Sequence, residues 1–459
     1  MIALPLEVTM PDDRPRRTPL DDHPTVLAVR ARPAPPAPER LTLARVRELA
    51  LAAGADDAGV VSIDDPALAE ERPHVERALP GVRTLVPIVL RMHVDDVRSP
   101  TRSVANVEFH RTGHEVDEVA RELAVALSGL GHPSIHPAMA FPMEMESFPE
   151  RSWIVSHKRV AVAAGLGTMG LHRNVIHPRF GSFVLLGTVL TTAEIEGRSP
   201  RLDFDPCISC KLCVAACPVG AIEPDGAFRF SACYTHNYRE FMSGFTDFVE
   251  EVADSRDRRD FRERVSQADS ASMWQSLAYG PNYKAAYCLA VCPAGEDVIA
   301  PFLADRAGYL RRVVKPLTER EETIYVVQGT DAQAHVQKRF PHKRIRVVRS
   351  SLRPRSAAHF VRALPLSFQR GPARGWKATF HLDFRGDDAA MATVRIDDGT
   401  LTVTPGLHGE PDLALSCEGA VWMEILEKKR SPLLAALTGR LKVRGDRGLL
   451  VRFARCFPS

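Results

Sequence analysis

The sequence predicts a multidomain protein of mixed class: an N-terminal α/β domain, a cysteine-bearing middle domain and a C-terminal α+β domain. Three observations carry that expectation. Helical and strand-like patterns alternate over roughly residues 41–200, seven of the nine cysteines fall between Cys207 and Cys292, and about the last 85 residues switch to alternating strand patterns. A length of 459 residues suits two to four domains at roughly 150 residues each. With 45% hydrophobic and 25% charged residues the composition is that of a globular protein, and a net charge of +3 excludes a polycation built to coat nucleic acid. No run of 18 or more apolar residues occurs, so no transmembrane helix is expected. The first thirty residues lack a basic start followed by a continuous apolar stretch, so a cytoplasmic location is expected.

Residues 1–40 hold nine of the 35 prolines and read as a disordered arm. In the expected α/β domain, 41–200, a helix starts near Thr42 with Leu43, Val46, Leu49 and Ala50 on one face, and stops at Gly54. Ala58–Ser62 and Thr84–Leu90 read as strands, with Pro87 pointing to an edge position or a bulge. Residues 114–129 form an amphipathic helix capped by Gly131. The stretch Gly165-Leu-Gly167-Thr-Met-Gly170 has GxGxxG spacing, and Arg159–Ala163 could supply a preceding strand. No acid follows at 180–192, so a tight glycine-rich turn in a ligand-facing core is preferred over a dinucleotide site.

The middle domain is expected over 201–305. Cys207-Ile-Ser-Cys210-Lys-Leu-Cys213-Val-Ala-Ala-Cys217-Pro218 is the C-x2-C-x2-C-x3-C-P run of ferredoxin-like iron–sulfur domains, whose fourth cysteine serves the other cluster in two-cluster proteins. The complementary piece is Cys288-Leu-Ala-Val-Cys292-Pro293. Zinc sites want paired C-x2-C units or histidines and leave both prolines unexplained. One [4Fe–4S] cluster therefore takes Cys207, Cys210, Cys213 and the distant Cys292. A second takes Cys217, Cys288 and Cys233, which leaves it one ligand short. Ala285 stands where the motif would place the missing cysteine, so this cluster is [3Fe–4S], or [4Fe–4S] with a non-thiolate or labile ligand, or completed by a substitute such as His236. Cys417 and Cys456 read as buried apolar residues.

Residues 306–356 suggest a basic βαβ-like linker. Ala332 to Leu382 contains no Asp or Glu against twelve Lys or Arg, either a solvated face or a docking surface for an acidic electron donor, an anionic ligand or RNA. In the final domain, 357–459, strands are expected at Ala378–Phe384, Thr393–Ile396 and Leu401–Thr404, with a helix near Glu418–Lys428.

Over roughly residues 41–300 the chain resembles the epoxyqueuosine reductases and their relatives, the corrinoid reductive dehalogenases. The resemblance rests on Gly54–Gly59, Phe109–Asp117, Gly165-Leu-Gly167, Phe180-Gly181-Ser182, Cys233 and the cysteine pattern. It implies a cobalamin in the N-terminal domain, with Gly165, Gly167, Gly170, Phe180, Gly181 and Ser182 as candidate cofactor-binding residues. It also implies electrons arriving from reduced ferredoxin or flavodoxin. The aspartate that these reductases carry about fourteen residues before Gly165 is Arg151 here, and their glutamate six positions later is His157. His157 and Lys158 are thus the candidate proton donors, and the missing aspartate argues against a tRNA substrate. Asp398-Gly399, Pro411-Asp412-Leu413 and Gly439–Asp446 resemble the sterol-carrier-protein-like domains, which implies a lipid or apolar small molecule in the C-terminal domain. The expected function is an iron–sulfur oxidoreductase that reduces a cofactor or a small apolar substrate. The alternatives are a non-enzymatic electron-transfer and lipid-binding protein, or epoxyqueuosine reduction on tRNA.

Overall fold

A computed structural model describes residues 19–34, 36–141, 144, 153–350 and 352–458. Of the expected arm, residues 1–18 lie outside these. From Leu20 a short turn and the helix Pro24–Arg30 form without burying a residue.

The N-terminal core is a small antiparallel sheet between two layers of helix. Thr84–Arg91 and Val184–Thr191 are its central strands, flanked by Asp57–Ala58, Val61–Ser62 and Ser134–Ile135. Thr84–Leu90 is buried on both faces, which is why it reads as a continuous apolar run. On one face pack the helices Leu43–Ala52 and Arg102–Gly129, through Val46, Ala50, Val116, Ala120 and Leu123. The first is capped by Thr42, whose hydroxyl accepts from the Arg45 amide at 3.2 Å. The second runs for 28 residues and begins twelve positions before the periodicity suggested. On the other face lies the helix His157–Ala163.

Two local expectations change here. Pro87 sits in a central strand, opposite Thr188, and not at an edge. On its other side the partner chain breaks between Ala58 and Val61, and the Gly59 amide donates to the Pro87 carbonyl at 3.0 Å. The missing proline N–H therefore falls at a bulge. Arg159–Ala163 is helical, and the sheet beside it is antiparallel, so the strand that a dinucleotide site would need ahead of Gly165 is replaced by a helix.

The cysteine region packs directly on this layer. Met92, Val97, Ala105 and Phe109 share a core with Ala285, Tyr287, Leu289, Ala290 and Val291. Behind the first cysteine run lies a βαβ unit: Thr323–Val326 and Arg344–Val347 are parallel, with the helix Asp331–Arg339 between them. Its Ile324, Val326 and Val336 pack against Cys213, Cys217 and Ile222. Part of the acid-free stretch is paired within the chain. Arg346 pairs with Asp269, Arg349 with Glu250 at 2.7 Å, Arg353 with Asp247, Lys343 with Glu322 at 2.7 Å and Arg370 with Glu223 at 2.9 Å. Lys338, Arg339, Arg344 and Arg355 are exposed.

The C-terminal sheet has five strands in the order Thr400–Pro405, Ala390–Asp397, Lys377–Arg385, Leu413–Glu418, Leu441–Gly445. Lys377–Arg385 runs parallel to Leu413–Glu418, and the other pairs are antiparallel. Asp398 and Gly399, both at positive φ, make the two-residue turn between the first hairpin's strands. Phe360, Phe380, Phe384, Trp422 and Phe453 fill the interior, and Cys417 and Cys456 are buried there at 5% and 0% exposure. Among the described residues, no helix is long and apolar enough to cross a membrane.

Candidate metal centre

Two loops of one shape carry the cysteines. Cys213 opens the helix Leu212–Ala216, preceded by Lys211 at φ 59°, ψ 17°. Cys288 opens the helix Tyr287–Ala290, preceded by Ala286 at φ 52°, ψ 23°. Left-handed backbone at two non-glycine residues is costly and persists only where the surroundings enforce it. In these matching loops Ala285 takes the place that Cys210 holds in the first.

The seven thiols gather in one region. Cys213 and Cys217 pack with Cys233 and Cys288, and Cys292 packs with Cys207. Cys213 is also within electrostatic reach of Cys292, Cys210 and Cys207. Among the described residues, no three His, Cys, Asp or Glu side chains converge tightly enough for a single metal ion. A cubane instead spreads its thiolates over several irons.

The surroundings suit buried anions. The Ala221 amide donates to Cys217 Sγ at 3.2 Å, with the amides of Val219, Gly220 and Ile222 aimed the same way. Burial pushes the Cys233 thiol up to about 12 and the Cys292 thiol up to about 11, so thiolates here require compensating positive charge. Two cations stand near Cys288. Arg102 is 7% exposed, lies 5.4 Å over the Tyr287 ring and reaches Cys288, and its Nε and Nη2 have no hydrogen-bond partner. Burial lowers its guanidinium to about 10, which leaves it charged at neutral pH.

Lys158 donates to Arg173 O at 2.9 Å and Asn174 Oδ1 at 2.8 Å, and reaches both Cys233 and Cys288. Its side chain is exposed, and Cys233 and Cys288 are half-buried.

The other candidates sort differently. His157 is buried, with Nδ1 2.9 Å from Thr188 Oγ1 and Nε2 3.3 Å from Ala138 O. Burial lowers it to about 4, so it is neutral and engaged on both nitrogens, which does not fit a proton donor. Arg151 lies outside the described residues. The glycines are close-contact positions. A Cβ at Gly165 would overlap Pro200 O, one at Gly167 would meet Ile176 O at 2.6 Å, and one at Gly170 would meet Ile176 Cδ1 at 2.6 Å. Phe180 stacks on His177 at 4.7 Å, and Gly181 and Ser182 join the sheet to the cysteine loop. His236 accepts from the Tyr325 amide at 3.4 Å, and its electrostatic neighbours are Lys284, Lys343 and Arg320, so it turns away from the cysteines. A separate cavity of about 330 Å³ is lined by Arg239, Asp247, Lys284, Glu240, Arg346 and Asp269, which pair with one another. Sequence reasoning missed Arg102, because its approach to Tyr287 and Cys288 is tertiary and no local spacing marks it.

Residues 200–223 match the 4Fe-4S binding domain, and residues 366–458 match the SCP-2 sterol transfer family. An epoxyqueuosine reductase of Synechococcus sp. (strain RCC307) is 30% identical over 193 residues, 41% of this chain and 55% of that protein. One from Prochlorococcus marinus (strain NATL2A) is 28% identical over 170 residues, 37% and 51%. The chain is thus similar in sequence to epoxyqueuosine reductases over part of its length, and to the SCP-2 family over residues 366–458. It spans about half the length of the curated relatives it matches. Among solved structures, the epoxyqueuosine reductase from Streptococcus thermophilus is 18% identical with a TM-score of 0.33, covering 59% of this chain and 74% of that one. A reductive dehalogenase structure is 16% identical with a TM-score of 0.31, covering 39% and 25%.

The charge at Lys158 gives a direct expectation. A cation near a cluster favours the reduced, more negative state, so Lys158→Met should move the second cluster's midpoint potential to a more negative value. An EPR-monitored redox titration measures it. An unchanged potential would mean that the ammonium does not face the cluster.

Proposed function

We propose that the chain is an iron–sulfur oxidoreductase in which two clusters relay electrons toward an acceptor in the N-terminal domain. The first is held by Cys207, Cys210, Cys213 and Cys292, the second by Cys217, Cys233 and Cys288. The observation that carries this reading is the gathering of the seven thiols in one region, with Cys292 beside Cys207. Electrons enter at the first cluster, whose Cys207 and Cys210 are half-buried beside exposed Phe204 and Ile208. Reduced ferredoxin or flavodoxin is the proposed donor, in the cytoplasm.

Arg102 and Lys158 offset the charge of the second cluster. Lys158 is the group placed to hold a proton beside it, anchored by Arg173 O and Asn174 Oδ1. Cobalamin is the proposed acceptor; when bound, it would supply a strongly reducing metal centre. The SCP-2 domain supports a lipid or apolar substrate over tRNA.

The experiment is anaerobic purification from cells supplied with a corrinoid, with iron, sulfide and cobalt quantified. Two clusters with stoichiometric cobalt support the proposal. Intact iron without cobalt would leave an electron carrier and remove the corrinoid step. Restored queuosine in the tRNA of a reductase-deficient host would overturn the preference for a small substrate.

A further inference from the structure

The C-terminal domain turns a group of leucines to solvent. In the helix Pro432–Leu437 only Ala435 is buried, where it joins the core with Leu441. Leu433, Leu434 and Leu437 are 70%, 55% and 77% exposed. At about 100° per residue, the three side chains leave the helix within one arc. Both ends of the helix are tied: the Ser431 hydroxyl accepts the Leu434 amide at 3.4 Å, and the Thr438 hydroxyl donates to Leu434 O at 2.8 Å. A lone exposed leucine is ordinary, whereas three held together on a capped turn form an apolar knob that marks a contact.

The charge around the knob is of one sign. Between Lys429 and Arg447 the chain carries six cations and a single acid, Asp446. Lys429 and Arg430 pair with Glu427 and Glu424, just before the helix. Arg440, Lys442, Arg444 and Arg447 are exposed and in no ion pair among the described residues. Lys442 and Arg444 alternate with buried Leu441 and half-buried Val443 on Leu441–Gly445, which is an edge strand of its sheet. Asp446 is taken up locally, accepting the Gly448 amide at 2.8 Å.

This combination selects an occupant. Protruding leucines beside unpaired cations complement a layer that is anionic at its face and apolar beneath, the boundary of headgroups and acyl chains in an acidic phospholipid bilayer. Two copies of the chain meeting through the knob would bring the same cations together. We propose that the helix Pro432–Leu437 and the adjoining edge strand form a docking site for an anionic phospholipid membrane. The three leucines enter the acyl region, while Arg440, Lys442, Arg444 and Arg447 lie against the lipid phosphates. The inference rests on this surface alone and is independent of the cluster assignment.

The test is co-sedimentation of the full chain, prepared anaerobically, with vesicles of phosphatidylcholine alone or of phosphatidylcholine and phosphatidylglycerol in equal parts. Wild type is expected to partition onto the anionic vesicles, to leave them at about 1 M salt, and to bind the neutral ones far more weakly. Leu433→Ser/Leu437→Ser should weaken the partitioning about tenfold, and Arg440→Glu/Arg444→Glu should remove the preference for anionic lipid. All four side chains are exposed, so both variants should keep the wild-type melting temperature and iron content. A wild type that stays in the supernatant with anionic vesicles would overturn the proposal. So would a leucine variant that binds as well as wild type, or a wild-type dimer that the leucine variant turns into a monomer with no membrane binding by either.

Discussion

Cys292→Ala is expected to leave the protein with about half of its iron and no first cluster. Cys292 lies far along the chain from Cys207, Cys210 and Cys213, and sequence distance alone would group it with Cys288. In the folded chain it packs with Cys207, while Cys217 packs with Cys233 and Cys288. On the proposed assignment its removal takes the fourth thiolate from the first cluster, leaves the three cysteines of the second in place, and costs the protein its first cubane. Cys417→Ala is the control: this thiol is buried in the C-terminal core, and its loss should leave iron unchanged. Iron and sulfide analysis of the two variants decides the matter, and equal iron in both would refute the crossed assignment.

Gly181→Ala is expected to have the second large effect. Gly181 has φ 64°, and a Cβ there would overlap the Ala294 carbonyl, two residues past Cys292. The neighbouring Ser182 hydroxyl donates to Leu289 O at 3.2 Å and also approaches the Cys292 thiol. Left-handed strain together with overpacking should cost about 2–5 kcal/mol at this seam. Because the seam carries Cys292, the loss should appear as a labile first cluster as well as a lower melting temperature. A variant with wild-type iron and an unchanged melt would show that the seam yields without disturbing the cluster.

Much of this molecule was legible where chemistry or periodicity is local. The C-x2-C-x2-C-x3-C-P run announced the 4Fe-4S binding domain that residues 200–223 match. The Asp398-Gly399 turn and the alternating strands around it announced the C-terminal sheet. Other features depended on partners remote in sequence. Pro87 reads as an edge or bulge residue, and only the break between Ala58 and Val61 opposite it decides for the bulge. Arg159–Ala163 has a strand's composition but forms a helix, because it covers the sheet instead of joining it. The acid-free stretch reads as a solvated face or a docking surface, and nothing in a linear reading places Asp247, Glu250 and Asp269 against part of it. His157 looked like a relocated acid, but burial and two hydrogen bonds make it a neutral structural group. Ala285 marks the position where the motif would place a cysteine, whereas the clamp that Asn237 puts on the Ala285–Ala286 turn is tertiary and has no local signal.

The most direct test of the central claim, two adjoining clusters with crossed ligands, is the EPR spectrum of the fully reduced protein. Two neighbouring paramagnetic clusters should give a broad, spin-interacting spectrum that integrates to about two spins per chain and collapses to one isolated cluster in Cys292→Ala. A wild-type spectrum of one non-interacting cluster, with about four irons per chain, would contradict it.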